Sequence, residues 1–360
     1  MVGVDMTEEP VTNQTLTMGL SCPVPLAEYK EILLAHGGGG KLSRDLVEKV
    51  FFPQFKNSFL APLHDGAAVF IDGAHLAFTT DSYVVDPLFF PGGDIGSLAV
   101  NGTVNDLAMC GAQPHYLSVG FILEEGLPMD ELRGVTTSVG NAARNALVQL
   151  VTGDTKVVDR GKCDKMFINT SGVGVIPPGV HINPKRARIG DVVILSGRIA
   201  EHGIAVMSAR EGFETKLQSD TAPLWGLVDT MLEVTNDIHV LRDPTRGGVA
   251  TSLNEIAMAA QIGVEIEEAA VPVNEEAKDA CEILGFDPLY VANEGKLIAF
   301  VPAVHAQPMI EAMRAHPLGK NAAIIGAVTD AHRGLVVMKT TIGGTRVVDM
   351  LSGEQLPRIC

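Results

Sequence analysis

The last residue of the 360-residue chain is a cysteine, Cys360, which follows Pro357, Arg358 and Ile359. A thiol at a chain end is mobile, and its thiolate form is a nucleophile that can carry a covalent group. Arg358 would offset the disfavouring effect of the terminal carboxylate on that thiolate. The residues from Gly353 onward would span about 25 Å when extended, which predicts that the thiol can enter a cleft. An incidental exposed cysteine is the alternative.

Four aspartates come just after β-like runs, beside glycine, serine or asparagine. Strand ends that meet at one sheet edge would bring these hard oxygen ligands together, as a magnesium–nucleotide site requires. Solvated aspartates at turns are the alternative, because the chain is acidic. The candidate ligands are Asp65, Asp81, Asp106 and Asp154.

A lysine and a glutamate are candidates for acid–base work. Lys156 lies two residues after Asp154, and Glu294 lies in the segment Asn-Glu-Gly-Lys at 293–296. A carboxylate whose pKa is raised by partial burial acts as a base, and a nearby ammonium orients the substrate. The sequence does not show that the two are close, so two surface residues are the alternative.

Four consecutive glycines lie between His36 and Lys41. Glycines such as Gly38 and Gly39 let backbone N–H groups approach a phosphate, and the lysine would add charge. A flexible hinge explains the run equally well, since the spacing is not that of a Walker motif.

Two further segments have polar residues next to apolar helices. Asn101 and Asn105 share one face of the helix predicted over 95–109, where buried amides need partners, either ligand atoms or a neighbouring loop. The run Asp-Pro-Thr-Arg-Gly-Gly at 243–248 opens a helix. Capping explains most of that motif, although Arg246 would also suit a phosphate.

Alternating periodicities predict the elements that would position these residues. In the first half, strands are predicted at 67–71, 76–85, 116–123, 149–152 and 166–176, with helices at 95–109 and 129–147. Turn formers at 177–190 mark a domain boundary. A second α/β unit then begins with a strand at 191–196 and helices near 203–210, 224–235 and 247–261. The predicted divisions are a flexible extension (1–30), an N-terminal domain (31–177), a C-terminal domain (178–342) and a mobile tail (343–360).

The formal net charge of −16 argues against nucleic acid and anionic lipid as partners. A polyphosphate held by this chain would bring divalent cations with it. The five scattered cysteines indicate neither a disulfide framework nor a zinc site, and the acidic N-terminus lacks the features of a signal peptide. We therefore expect a cytoplasmic protein.

Nine segments, taken in order from His36 to Cys360, resemble the HypE family of hydrogenase maturation proteins. They read HGGGGK, HDGAA, TTDS, PGGDIG, VNDLAMCGA, TGDTKVV, DPTRGG, NEGK and PRIC. The resemblance implies a two-domain PurM-like (aminoimidazole ribonucleotide synthase-like) fold of α+β and α/β units with an extended tail. It also implies a homodimer whose N-terminal domains pair, with ATP bound near the interface.

The activity implied by this resemblance is ATP-dependent dehydration of a carbamoyl group on Cys360 to a thiocyanate. The carbamoyltransferase HypF would load that group, and a HypC–HypD scaffold would receive the cyanide ligand for the iron of a [NiFe]-hydrogenase. Glu294 would remove protons, and Lys156 would orient the carbamoyl group. The residues expected to hold ATP and Mg²⁺ are Gly38, Gly39, Asp65, Asp81, Asn105, Asp106, Asp154 and Lys156.

Two rival functions have distinct signatures. A small-molecule kinase or synthase of the same superfamily would keep the acidic site and form product without Cys360. A non-enzymatic metal or redox carrier would use Cys360 but would give no role to the aspartates or Lys156.

Overall fold

The structure is a computed structural model that describes residues 30–353, 356 and 358–360. The predicted extension (1–30) lies almost entirely outside the described residues. The helices are α1 (Lys41–Leu46), α2 (Phe52–Phe55), α3 (Ile95–Met109), α4 (Met129–Asn145), α5 (Glu201–Glu211), α6 (Trp225–Val234), α7 (Gly248–Ala260), α8 (Glu275–Leu284) and α9 (Ala303–Ala315). The strands are β1 (Ala67–Ile71), β2 (Ala74–Tyr83), β3 (Phe89–Phe90), β4 (Gly93–Asp94), β5 (Gln113–Glu124), β6 (Gln149–Val158), β7 (Met166–Val175), β8 (Asp191–Leu195), β9 (Val240–Arg242), β10 (Gly263–Glu267), β11 (Ile298–Pro302), β12 (Ala323–Thr329), β13 (Val336–Lys339) and β14 (Thr345–Val348).

The first half of the chain forms a five-stranded sheet in the order β1-β2-β7-β5-β6. Only β5 and β6 pair in parallel, and the other neighbours are antiparallel. β6 lies at one edge of the sheet, and nearly all of its residues are exposed. Helices α3 and α4 pack against each other, and α3 covers β2 and β7.

Helix α3 joins the two halves of the protein. It begins at the N-cap Asp94, whose side chain accepts hydrogen bonds from the backbone of Gly96 and Ser97. Nearly the whole helix is buried, which is typical of a helix that is apolar on all sides. Its C-terminal residues Leu107 and Met109 share a core cluster with Leu227 of α6 and Ile194 of β8.

The second half forms a seven-stranded sheet in the order β14-β13-β10-β12-β8-β11-β9. All pairs are antiparallel except β10 with β13, so this sheet is mixed. The strand β14 falls inside the predicted tail (343–360). Since Val348 is buried in the core of this half, residues 345–348 belong to the sheet, and the tail proper starts after them.

Most elements expected from periodicity are confirmed. The helix α3 and the strand β1 occupy the predicted ranges, and α4, β7 and β8 differ by one or two residues at their ends. The strand β6 is the main exception, because it continues through Gly153 to Val158 and does not end at 152. None of the helices in the described part of the chain is long and apolar enough to cross a bilayer.

Candidate functional site

The chain end lies inside the protein and pairs with the segment after β2. The backbone N–H of Val84 donates to a main-chain oxygen of Cys360 (3.2 Å), and that of Asp86 donates to the carbonyl of Arg358 (3.3 Å). The side chain of Ile359 is buried in the apolar cluster of the first half. Cys360 itself is only 5% exposed, so the terminal thiol occupies a cleft, as the sequence predicted.

Three charged side chains surround the thiol of Cys360. Burial raises its pKa, and the carboxyls of Glu294 and Asp81 act in the same direction, while the guanidinium of Arg246 opposes them. The thiol also lies within hydrogen-bonding reach of Glu294. The docked thiol is therefore neutral and lies between one potential base and one fixed cation.

The backbone of Glu294 is held by hydrogen bonds on both its N–H and its carbonyl. Its N–H donates to Oδ1 of Asp220 (3.0 Å), and Oδ2 of Asp220 is bound by Nζ of Lys296 (2.9 Å). Its side chain is buried, and Oε1 has no hydrogen-bond partner among the described residues. Burial, followed by the charges of Asp243, Asp220 and Asp81, raises the pKa of Glu294 well above its ordinary value. A protonatable oxygen thus remains available beside the thiol.

A group of carboxylates lies close enough to Asp81 for its charge to raise the pKa of two of them, Asp106 and Asp243. Oxygens of Asp65, Asp106 and Asp243 lie within 4.8 Å of one another. Burial raises the pKa of Asp243 to about 7, with Asp65 adding to the effect, and it also raises the pKa of Asp106. Despite burial, Arg242, 2.7 Å away, and His64 lower the pKa of Asp65.

Carboxylates that repel one another in a buried site suit a hard divalent cation. The positive charge of the cation stabilises their ionised forms, as bound protons would otherwise do. Oδ2 of Asp65 is buried without a hydrogen-bond partner among the described residues, which is consistent with a role as a ligand. The residues therefore fit Mg²⁺, as the resemblance implied.

The predicted convergence of the aspartates from strand ends is wrong. Asp65 precedes β1, Asp81 lies within β2, and Asp106 lies in α3, so these side chains do not converge from strand ends. The residue that does follow a strand directly is Asp243, after β9. The sequence predicted only a helix cap at 243–248, because β9 has three residues and shows no strand period that would have marked Asp243 as a strand-end residue.

Asp154 and Lys156 are not brought to this cluster within one chain. They lie in the middle of β6 at the sheet edge, where each is 69% exposed and Nζ of Lys156 bonds to both oxygens of Asp154 (2.8 and 2.6 Å). The hydrogen bond from Lys156 lowers the pKa of Asp154. The predicted strand ended at 152, but Gly153 pairs with Val119 in a close approach of two strands, and this keeps Asp154 inside β6.

The glycine-rich segment packs behind Arg246. A side chain at Gly39 would collide with Arg246, and the guanidinium of Arg246 donates to the carbonyl of Gly37 (3.2 Å). This segment is helical on both sides of its glycines rather than a bare hinge. A cavity of about 540 Å³ lies next to it and is lined by Gly39, Arg44 and Arg242, among others. Gly38 lies near the tail, in the lining of a small gap beside Ile359.

Asn105 makes structural contacts between the halves. Its Nδ2 donates to the carbonyls of Ala222 and Glu294 (both 3.1 Å), and its Oδ1 accepts from the N–H of Leu224 (2.8 Å). These contacts correspond to the neighbouring-loop alternative considered for the amides of α3. They also fix the backbone of Glu294 from the side opposite Asp220.

Fold and site together define an AIR synthase related protein. The family model for the N-terminal domain of these proteins matches residues 64–176, and the model for the C-terminal domain matches residues 188–339. The chain is 53% identical to the carbamoyl dehydratase HypE of Azotobacter vinelandii over 330 residues, which cover 91% of this chain and 96% of that one. The chain belongs to the HypE family, which confirms the resemblance of its motifs.

Solved structures agree with this assignment. A crystal structure of HypE in complex with ATP is 52% identical, covers 92% of this chain and 100% of its own, and gives a TM-score of 0.77. A HypE–HypF complex is 47% identical, covers 85% of this chain and 99% of the matched one, and gives a TM-score of 0.81. The predicted PurM-like fold is therefore confirmed.

We expect Asp243→Asn to stabilise the cation-free protein at pH 8. A carboxyl whose folded pKa is raised costs free energy when it must ionise in the folded state, so the stabilisation by asparagine is small near pH 4, grows between the ordinary carboxyl pKa and about 7, and is constant above that. The gain at pH 8 should be about 1–3 kcal/mol, since one pKa unit corresponds to about 1.4 kcal/mol. The same variant should lose most of the rise in Tm that Mg²⁺ gives the wild type.

Thermal unfolding at both pH values, with and without Mg²⁺, measures both effects. Asp130→Asn is the matched control, because Asp130 is almost fully exposed and pairs only with Arg133 among the described residues. An unchanged Mg²⁺ response in Asp243→Asn would remove Asp243 from the proposed cation site.

Proposed function

We propose that this chain is an ATP-dependent carbamoyl dehydratase that converts an S-carboxamide on its own Cys360 to a thiocyanate. The observation that carries the proposal is the burial of the terminal thiol between Glu294 and Arg246, next to a carboxylate cluster suited to a cation. The HypE relatives are named carbamoyl dehydratases. The thiocyanate would supply the cyanide ligand of a [NiFe]-hydrogenase iron.

The chemistry explains why ATP is needed. Loss of the carbamoyl oxygen as hydroxide is very unfavourable, whereas transfer of the γ-phosphoryl group to that oxygen makes inorganic phosphate the leaving group. The carbamoyl nitrogen must also lose both of its protons as the C–N triple bond forms. The S-carboxamide and ATP thus give a thiocyanate, ADP and phosphate.

Glu294 is the proposed base for this step. Its carboxyl lies at the sulfur atom of Cys360, and its raised pKa makes it a stronger proton acceptor than an ordinary glutamate once it is ionised. Arg246 lies on the same thiol and would stabilise negative charge on the activated oxygen. Glu294 is buried and Arg246 is half-buried, so water competes little for the proton acceptor.

The cavity beside the glycine-rich segment is the proposed nucleotide site. Its lining includes the cations Arg44, Lys185 and Arg242, which suit polyphosphate in a chain that is otherwise acidic. A HypE structure contains ATP. Asp65, Asp106 and Asp243, together with Asp81, would hold the Mg²⁺ that accompanies the nucleotide and neutralises phosphate charge.

A homodimer would give Asp154 and Lys156 their role. The two side chains project from an exposed edge strand that also presents Val151 and Val157 to solvent. An edge strand with exposed apolar side chains is a typical pairing surface. We propose that β6 of one subunit faces the site of the other, so that Lys156 orients a carbamoyl group carried by its partner.

Mixed dimers test this arrangement. Lys156→Ala and Glu294→Gln should each bind ATP and block dehydration when alone. If each site takes Lys156 from one chain and Glu294 from the other, a randomly exchanged equal mixture should regain about a quarter of the wild-type sites. If both residues serve their own chain, the mixture stays inactive. Activity of the mixture after subunit exchange therefore distinguishes the two arrangements, and co-purified wild-type dimer gives the scale.

The proposed partners are the proteins that load the carbamoyl group onto Cys360 and accept the cyano group from it. A HypE–HypF complex has been solved, and a HypF-type carbamoyltransferase would load Cys360 of this chain. A HypC–HypD iron scaffold would accept the cyano group. We place these exchanges in the cytoplasm, where a free terminal thiol stays reduced.

Peptide mass spectrometry tests the function directly. After incubation with a HypF-type enzyme and its substrates, the C-terminal peptide should carry a carbamoyl adduct on Cys360, and this adduct should lose one water only when ATP and Mg²⁺ are added. An adduct that never dehydrates, or one that forms on another cysteine, would contradict the proposal. Product formed from a small molecule by a chain lacking Cys360 would instead indicate the kinase or synthase alternative.

A further inference from the structure

Each of the last three residues accepts a hydrogen bond at a main-chain oxygen. The carbonyl of Arg358 accepts from the backbone of Asp86 and from the guanidinium of Arg210 (2.8 Å), and a main-chain oxygen of Cys360 accepts from Val84. Between them, the carbonyl of Ile359 lies 3.1 Å from Nε2 of the His202 ring. One side chain, His202, thus binds the residue that directly precedes the reactive thiol.

The surroundings of His202 determine which ring nitrogen carries the proton. Its Nδ1 lies 2.8 Å from Oγ of Ser219, and that Oγ already accepts the N–H of Thr221 (3.2 Å). The hydroxyl hydrogen of Ser219 is therefore free to be donated to Nδ1. Burial lowers the pKa of His202, so the ring is neutral, and its remaining N–H at Nε2 points to the carbonyl of Ile359.

The ring is also fixed by packing. His202 is fully buried in the first turn of α5, and its ring meets that of Phe90 edge-on at 5.5 Å. Ser219 is fixed in turn by its N–H, which donates to the carbonyl of Pro91 (2.8 Å). The donor at Nε2 thus has a set position before the tail arrives.

We propose that His202 is a positioning residue that holds the carbonyl of Ile359 and thereby sets both the register and the docked fraction of the tail that carries Cys360. This inference rests on the proposed function, because the carbamoyl group on Cys360 must lie beside Glu294 to react. The docking contact itself does not depend on that function.

Two features make the docked tail sensitive to a single contact. Arg358 has a φ of 52°, in the left-handed region that non-glycine residues avoid, so the docked conformation carries backbone strain. When the tail leaves, Nε2 of His202 loses its acceptor inside a buried site, which favours return of the tail. Without the hydrogen bond from His202, the strain at Arg358 would shift the equilibrium from the docked tail toward the released tail.

The rate at which iodoacetamide alkylates Cys360 reports docking without any partner or nucleotide. The docked thiol is buried and neutral, so only the released tail reacts readily. We expect His202→Phe, which keeps a ring against Phe90 but lacks the donor, to react about 5–20-fold faster at pH 8. His202→Gln, which can donate from its amide, should restore most of the protection.

Peptide mass spectrometry resolves Cys360 from the buried Cys110, Cys163 and Cys281, which serve as internal references. Ser208→Ala is the matched control, because Ser208 is buried in the same helix and bonds only to Ala205 among the described residues. Ser219→Ala provides a second variant that leaves the ring in place, and it should accelerate alkylation in the same direction by a smaller factor.

Equal alkylation rates for the wild type, His202→Phe and Ser219→Ala would overturn the proposal, as would no protection in His202→Gln. If His202→Phe fails to fold, Ser219→Ala alone decides by the same criterion. Single-turnover dehydration by His202→Phe should fall about tenfold with an unchanged KM for ATP. Faster alkylation in variants of a chain that never dehydrates its adduct would retain the role of His202 while rejecting the proposed function.

Discussion

Cys360→Ser should reduce the thiocyanate formed by this protein to the level of the blank. The hydroxyl of serine is far less nucleophilic at neutral pH than a thiol, so no carbamoyl group is loaded and no cargo reaches Glu294. The side chain is nearly isosteric, and the backbone bonds of the tail to Val84 and Asp86 are retained, so docking should survive. ATP binding should also be unchanged.

The measurement is the mass of the C-terminal peptide together with release of labelled cyanide after loading. Cys281→Ala is the control, because Cys281 is a buried cysteine of α8 whose pKa is raised to about 11 by burial, and it is expected to be inert. Labelled product from the serine variant at more than a small fraction of the wild-type amount would place the cargo on another residue.

Glu294→Gln should slow dehydration by roughly 10²–10⁴-fold, the range for loss of a general base. The glutamine keeps the size of the side chain and leaves the bonds from the backbone of Glu294 to Asp220 and Asn105 intact. Carbamoyl loading occurs elsewhere and should proceed normally. The variant should therefore accumulate the carbamoyl adduct in the presence of ATP.

The pH dependence of the wild type gives an independent check. Because burial and neighbouring carboxylates raise the pKa of Glu294, its basic form becomes populated only above the ordinary range of a glutamate. Single-turnover dehydration should rise with pH through that elevated pKa, and this rise should be absent in Glu294→Gln. A rise of the same size in both proteins would assign the proton transfer to another group.

Elements dictated by local patterns were predictable from the sequence. The helix α3 has both a capping aspartate and a long apolar stretch, and its predicted bounds are confirmed. The terminal position of Cys360 and the motif around Glu294 pointed to the chemistry, and the structure places the two side chains together. These predictions depended on short-range signals or on the motif resemblance.

What depended on tertiary packing was harder to foresee. Asp243 follows a strand of only three residues, too short to show a period, so its motif suggested a cap. The predicted end of the strand at 152 was wrong, because the next residue, Gly153, allows a close approach to Val119 and continues β6. The strand β14 escaped notice because its pairing to β13 is set by a partner and not by its own sequence.

The burial of α3 in the packing of both halves restricts how the protein can move. Its residues contribute to one apolar cluster with α4 and to another with α6, so separating the halves would open both interiors to water. A hinged closure of the two sheets, of the kind that many two-lobed enzymes use, is therefore unfavourable here. The amide hydrogens of α3 would exchange only on global unfolding. Delivery of the carbamoyl-derived group would then depend on release of the residues after β14, which in the described part of the chain withdraws only a few side chains, such as Ile359, from an apolar cluster.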